Sequence, residues 1–435
     1  MKTIHLFTTA KRFWLLWALL IGASINAPAQ TIIEKASNLL KQGTDATKQV
    51  TDLVSTTKKS TEEFNQSVNV VKEGVGSITP LSSDQLTKPK FKRGKFTNFD
   101  WQPVAQFEKQ LFPAMIIAMT TYKGDIDDPM MNAVKSSALG FSFVAEKDYI
   151  PIRWEIECPD KTYFNKVSGD FTMQQAKQNY CLMPNIPWNM ATLSHQNGSK
   201  PLTLIFRLYD AAGNKEERME TVFMHSINDC IYQYQQKSFN FLFAAFVQEK
   251  HMDGAKIVRE AAKTKFSPSL SGYSSEELQT IGKVCAVWKV LHDLGFQFSD
   301  SPTANAAGNI ASQQVHTFGY ALAAGHGNSF DGAVVFSSVL KAMGLSTVML
   351  VSHDHCLAGF YAGRKLVILE TTMLSDSDKI DNAKTVRQKT DAYAAQFVNA
   401  VKSGAERYAE YKAANDIREI DISRYRNMVQ ALPSK

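Results

Sequence analysis

Ser329, His355 and Glu370, in that chain order, are the residues of this sequence best placed to do chemistry. A hydroxyl attacks when a base takes its proton, and an imidazole serves as that base when a carboxylate orients it. The same stretch, residues 327–372, offers two other arrangements. His353 and His355 stand two apart, so a strand would put both imidazoles on one face, a candidate metal pair with His326 or Glu370 as third ligand. His353 equally fits a plain surface or loop histidine. Cys356 follows His355 directly, but neighbours on a strand point to opposite faces, so its thiol is expected to turn away from the imidazole.

Three elements must position these groups. Gly325-His326-Gly327-Asn328-Ser329 leads into an expected helix over 331–343, closed by Gly344. That helix is apolar nearly all round, as a buried core helix is. Its N-terminus would present free N–H groups and a positive dipole end beside Ser329, a place that favours a thiolate or an oxyanion. Ser329 by type also fits an ordinary N-cap. Strands are expected over 347–351, 356–361 and 364–371. With Ala362-Gly363 as a two-residue hairpin tip, His355 falls directly opposite Glu370 at about 5 Å, and Leu357 opposite Ile368. Such a histidine–carboxylate pair is the second half of a triad, and is also common as a structural hydrogen bond.

The rest of the chain supplies context. Residues 1–29 read as a secretory leader: a basic start (Lys2, Lys11, Arg12), an apolar run over 13–25 and Ala27-Pro28-Ala29 before Gln30. The apolar run is too short to anchor the chain as a transmembrane helix. The formal charge of +6 includes those three leader cations, leaving a mild +3, which argues against a nucleic-acid partner. Nothing in the composition calls for a cofactor. Five scattered cysteines (Cys158, Cys181, Cys230, Cys285, Cys356) do not make a disulfide scaffold, and the odd count leaves at least one free.

Residues 30–80 carry a weak amphipathic helical pattern, an arm, and 81–100 form a basic linker centred on Pro89-Lys90-Phe91-Lys92-Arg93-Gly94-Lys95. Over 101–235 the period becomes two, with strands expected at 114–122, 138–146, 152–156, 202–209 and 219–225. Short strands with turn signals between them suggest a β-sandwich. From 236 helical periodicity returns. Ser274 with Glu277 makes a capping box for a helix with the stripe Leu278, Ile281, Cys285, Trp288 and Leu291, ending at Gly295. Cys285 on that stripe is a core residue. Residues 299–309 read as a loop, and 376–435 as a charged helical tail.

The focal stretch resembles the transglutaminase-like superfamily, whose papain-like core places a cysteine in G-x-C-x-D at a buried helix start, then a histidine on one strand and an acid on the next. Gly327-Asn328-Ser329-Phe330-Asp331 matches the first motif except at its reactive position. His355 matches the histidine, and Glu370-Thr371-Thr372 the acid motif, with glutamate for the commoner aspartate. Residues 417–422 resemble a tail of bacterial secreted relatives.

The resemblance implies an α+β fold, with a transglutaminase-like domain over 236–375 preceded by the β-sandwich and the helical arm. A cysteine thiol, with a pKa of about 8.5, readily becomes a thiolate beside an imidazolium and a helix start. A serine hydroxyl cannot rest as an alkoxide there. The expectation is therefore an exported protein, periplasmic or extracellular, whose degenerate domain binds or scaffolds protein, peptide or cell-wall partners. A Ser329–His355–Glu370 hydrolase or acyltransferase acting on peptide or amide bonds is the alternative, and a metal site at His353 and His355 the third.

Overall fold

The computed structural model describes residues 96–434 except 124–130, 132–134, 136 and 137, 300–303, 308 and 377. The leader, the helical arm and most of the basic linker lie outside the described residues. What is described combines helices with mostly antiparallel sheets, an α+β arrangement. Among these residues no helix is long and apolar enough to cross a membrane.

In the first half, strands Phe99–Ala105, Leu139–Ala145 and Asn179–Leu182 form one antiparallel sheet. A second has Lys200–Asp210 and Lys215–Met224 beside Ile150–Glu157 and Val167–Met173, with the two-residue strand Gln110–Leu111 at its edge. The sheets meet through aromatic side chains: Phe141 lies 6.0 Å from Trp154 and 5.5 Å from Phe206, and Phe143 lies 5.8 Å from Phe171. Sheet-on-sheet packing of this kind is compatible with the expected sandwich. The alternation along Ile150–Glu157 explains it, since Ile152, Trp154 and Ile156 are buried while Arg153 is exposed.

The strand expected at 114–122 is instead the helix Pro113–Met119. All seven residues are buried, so burial on every side erased the periodicity that separates helix from strand. Pro113 at the first turn was the signal for helix, because its missing N–H costs nothing there. The loop expected at 299–309 also contains a strand, Ala304–Ala307, paired with Ile310–Gln314. The latter pairs in turn with Asp229–Tyr234, so a strand from the sheet-rich half is completed by one about eighty positions later.

The second half is built on a four-stranded antiparallel sheet in the order Lys365–Leu369, Cys356–Ala362, Thr347–Val351, Arg418–Asp421. The helix Ser329–Ala342 packs against its two central strands and is buried along twelve residues, Ser329 to Leu340. Val348, Leu350, Leu357 and Ile368 form an apolar cluster covered by Tyr408, Tyr411 and Ile417. The capping box of Ser274 and Glu277 starts the helix Ser275–Asp293, whose stripe residues Ile281, Cys285, Trp288 and Leu291 are fully buried. The last sixty residues do more than the expected helical tail. They contribute the long helix Val386–Ala413 and then the edge strand Arg418–Asp421, which completes the sheet.

Candidate functional site

The helix Ser329–Ala342 begins one residue earlier than Ser329's type suggests. Asn328 is the N-cap: its side chain accepts the Asp331 N–H at 3.0 Å, and the Asp331 carboxylate accepts the Asn328 N–H at 3.0 Å. Asp331 is fully buried and also accepts from the His316 backbone N–H at 2.7 Å, with His316 Nδ1 at 2.9 Å. It thus fastens the preceding segment to the helix start. Gly327 is needed beside it, because a Cβ there would lie 2.5 Å from that of Asp331.

With capping assigned to Asn328, Ser329 occupies the first helical turn, 5 % exposed. Its Oγ accepts a hydrogen bond from the Cys356 backbone N–H at 3.2 Å. Among the described residues that is its one hydrogen bond. The serine therefore meets the main chain of the histidine strand rather than the imidazole.

The histidine and the acid do meet, though by a different register from the expected one. Ala362 pairs with Lys365, so the hairpin tip is Gly363-Arg364, with Gly363 at φ +61°, a conformation that favours glycine at the first central position of a tight turn. Gly359 rather than Leu357 then pairs with Ile368, and Leu357 instead pairs with Leu350 on the other side. The shift moves each partner by two positions. Faces are therefore preserved, and His355 and Glu370 become diagonal neighbours. His355 Nε2 lies 2.8 Å from Glu370 Oε2.

The long C-terminal helix holds the acid in place. The Glu370 backbone N–H donates to Ala400 O at 3.1 Å, Gln396 Nε2 donates to Met373 O at 3.0 Å, and Arg407 Nε lies 3.2 Å from Glu370 Oε2. Gly404 leaves room for this approach, since a Cβ there would lie 2.9 Å from both Glu370 N and Ile368 O. Positions 396, 400, 404 and 407 lie on one helical face. Sequence reading missed all four. A glycine inside an otherwise continuous helical stretch was the available signal.

The Glu370 side chain is 1 % exposed. Burial works to raise its pKa, but the hydrogen bond and charge of His355, the Thr372 hydroxyl at 2.7 Å and the Arg407 charge outweigh it, and the net shift is downward. The group is an anion and only accepts, so His355 Nε2 carries the hydrogen. In the neutral ring Nδ1 is then the basic nitrogen, and among the described residues it has no hydrogen-bond partner. The arrangement amounts to an oriented imidazole with one open nitrogen, beside a serine bonded elsewhere.

The other expected groups disperse. His353 is largely exposed and bonds to Asp416, while His326 bonds to Ala324 O at 2.9 Å. Among the described residues no three His, Cys, Asp or Glu side chains gather as a metal site. Cys356 is completely buried, and burial above all, with the Glu370 charge, pushes its thiol pKa well up. All five cysteines are buried and none is in a disulfide.

No protein-family model, curated protein or solved structure matches this chain.

Proposed function

We propose that this is an exported protein, periplasmic or extracellular, whose second half is a degenerate transglutaminase-like domain serving as a binding or scaffolding module for a protein, peptide or cell-wall partner. The observation that carries the non-catalytic reading is that Ser329 Oγ makes no hydrogen bond to His355 among the described residues, its one bond being accepted from the Cys356 N–H at 3.2 Å. A serine nucleophile needs its proton directed at the base. The near-closure of the cluster adds support, with Ser329 at 5 % exposure and the side chains of His355 and Glu370 at 12 % and 1 %. The motif order, a helix start, a histidine entering one strand and an acid leaving the next, is what the resemblance rests on.

The second reading, a Ser329–His355–Glu370 hydrolase or acyltransferase, draws on the open Nδ1 of His355. A fluorophosphonate probe separates the two. The expected result is no covalent labelling of the native protein; labelling that disappears in Ser329→Ala overturns the non-catalytic reading.

A further inference from the structure

The helix Met252–Ala261 is capped by an imidazole. Its N-cap is His251, whose Nδ1 accepts the Asp253 backbone N–H at 3.2 Å. A backbone amide nitrogen can only donate, so Nδ1 holds a bare lone pair and the hydrogen of the neutral ring sits on Nε2. The usual capping side chains, serine, threonine, asparagine and aspartate, keep their acceptor between pH 5 and pH 8. A histidine loses it on taking a proton.

The ring stands where three helices meet. His251 is 8 % exposed, its ring lies edge-on to Phe318 with centroids 5.1 Å apart, and a Cβ on Gly319 would lie 2.7 Å from Nε2. Phe318 and Gly319 open the helix Phe318–Ala324, which leads through Gly325 to the start of the helix Ser329–Ala342. One turn into the capped helix, a Cβ on Gly254 would lie 3.8 Å from the Phe318 ring and 3.9 Å from Ala342 Cβ. The capping residue and the first turn it caps thus seat one helix on the other two.

Protonation changes what the ring can bond. An imidazolium donates from both nitrogens, so Nδ1–H would face the Asp253 N–H and the cap is lost. A replacement acceptor is at hand in the Asp253 carboxylate, whose Oδ2 lies 3.7 Å from Nδ1, and which is the one acid within 4.0 Å of the ring nitrogens among the described residues. Its other oxygen, Oδ1, accepts from Lys256 Nζ at 2.7 Å. The helix Phe318–Ala324 brings only Phe318 and Gly319 against the ring, and neither is charged. In the segment before the cap, Glu249 is engaged by Arg426, and Lys250 is exposed. From the helix Ser329–Ala342, Lys341 reaches Ser423 instead.

We propose that His251 is an acid-sensitive joint: neutral, it caps Met252–Ala261 and seats that helix against Phe318–Ala324; protonated, it gives up the cap and turns to the Asp253 carboxylate. The cap belongs to the neutral ring, so it is present at neutral pH and lost on acidification. The joint does not depend on whether Ser329 is catalytic.

Hydrogen exchange of the full chain, followed by mass spectrometry at pH 7.5 and pH 5.0 and corrected for the intrinsic pH dependence of exchange, tests it. In the native protein the peptide over 249–262 is expected to exchange at least about fivefold faster at pH 5.0, the factor a lost N-cap carries. Peptides of the helix Ser275–Asp293 are expected to stay unchanged. His251→Asn, which caps without titrating, is expected to exchange within about twofold at the two pH values. Gly319→Ala, whose Cβ displaces the ring at any pH, is expected to show the fast exchange already at pH 7.5. The joint is overturned by a native peptide indifferent to pH, by an equal rise in Ser275–Asp293, by a pH response that survives in His251→Asn, or by Gly319→Ala exchanging as slowly as the native protein at pH 7.5.

Discussion

His355 Nε2 lies 2.8 Å from Glu370 Oε2 although the hairpin ladder does not set the two residues opposite each other. The contact holds because Glu370 is fixed from behind by the C-terminal helix, through Ala400 O on its backbone and Arg407 on its carboxylate. The charge of Glu370 is thus part of the packing between helix and sheet.

A pH dependence follows. The folded-state pKa of Glu370 is depressed below the ordinary 4.5, so its contribution to stability is fully present above that value and is lost as pH falls through the folded pKa. Glu370→Gln keeps the shape but not the charge, and is expected to cost about 1–3 kcal/mol at pH 7. Urea unfolding of both proteins from pH 7 to pH 3 is expected to show that difference shrinking below pH 4.5. A difference that stays constant or widens there contradicts the assignment of Glu370 as the stabilised anion.

Gly404→Ala sets two effects against each other. Alanine gains up to about 1 kcal/mol in helix propensity at a mid-helix position. Its Cβ, however, would lie 2.9 Å from backbone atoms of Ile368 and Glu370, and neither can move without shifting the acid. Packing is expected to win, with a net loss of about 1–3 kcal/mol measured by chemical denaturation. Stabilisation would mean that helix and strand do not approach as closely as described.

How far the sequence could be read depended on which physical signal each element carried. The capping box at Ser274 and Glu277 and the burial of Ile281, Cys285, Trp288 and Leu291 were legible because they are local and periodic. The His355–Glu370 pairing was legible despite a misplaced turn, since moving the tip from Ala362-Gly363 to Gly363-Arg364 shifts partners by two and leaves faces unchanged. Pro113–Met119 was misread because a segment buried on all sides has no polar face to show its period. Ser329 was weighed as a cap because residue type cannot tell the N-cap from the next position, and Asn328 with Asp331 completes the box instead. The strand Arg418–Asp421 and Arg407 were missed because their partners, Thr347–Val351 and Glu370, are distant in sequence.

The cysteines give a further check. All five are buried and none is in a disulfide, and burial raises the thiol pKa of Cys158 to about 11, with Cys230, Cys285 and Cys356 also raised. Thiolate is the reactive form, so Ellman's reagent is expected to find less than about one equivalent in the folded protein at pH 7.5. Five equivalents are expected after denaturation without reductant, because the chain has five cysteines and none is in a disulfide. Fewer than five would reveal a bridge.

The central claim is that Ser329 is not coupled to the oriented histidine, its Oγ accepting from the Cys356 N–H instead, and Ser329→Cys tests it most directly. An introduced thiol there sits in the first helical turn, where the Ser329 hydroxyl it replaces has no hydrogen bond to the His355 imidazole among the described residues. The rate of its alkylation by iodoacetamide near pH 6, followed by mass spectrometry, is the measurement. The account predicts a rate within about twofold of that in the same variant carrying His355→Ala, because the imidazole does not bond the side chain at 329. Alkylation at least about tenfold faster with His355 present would contradict it.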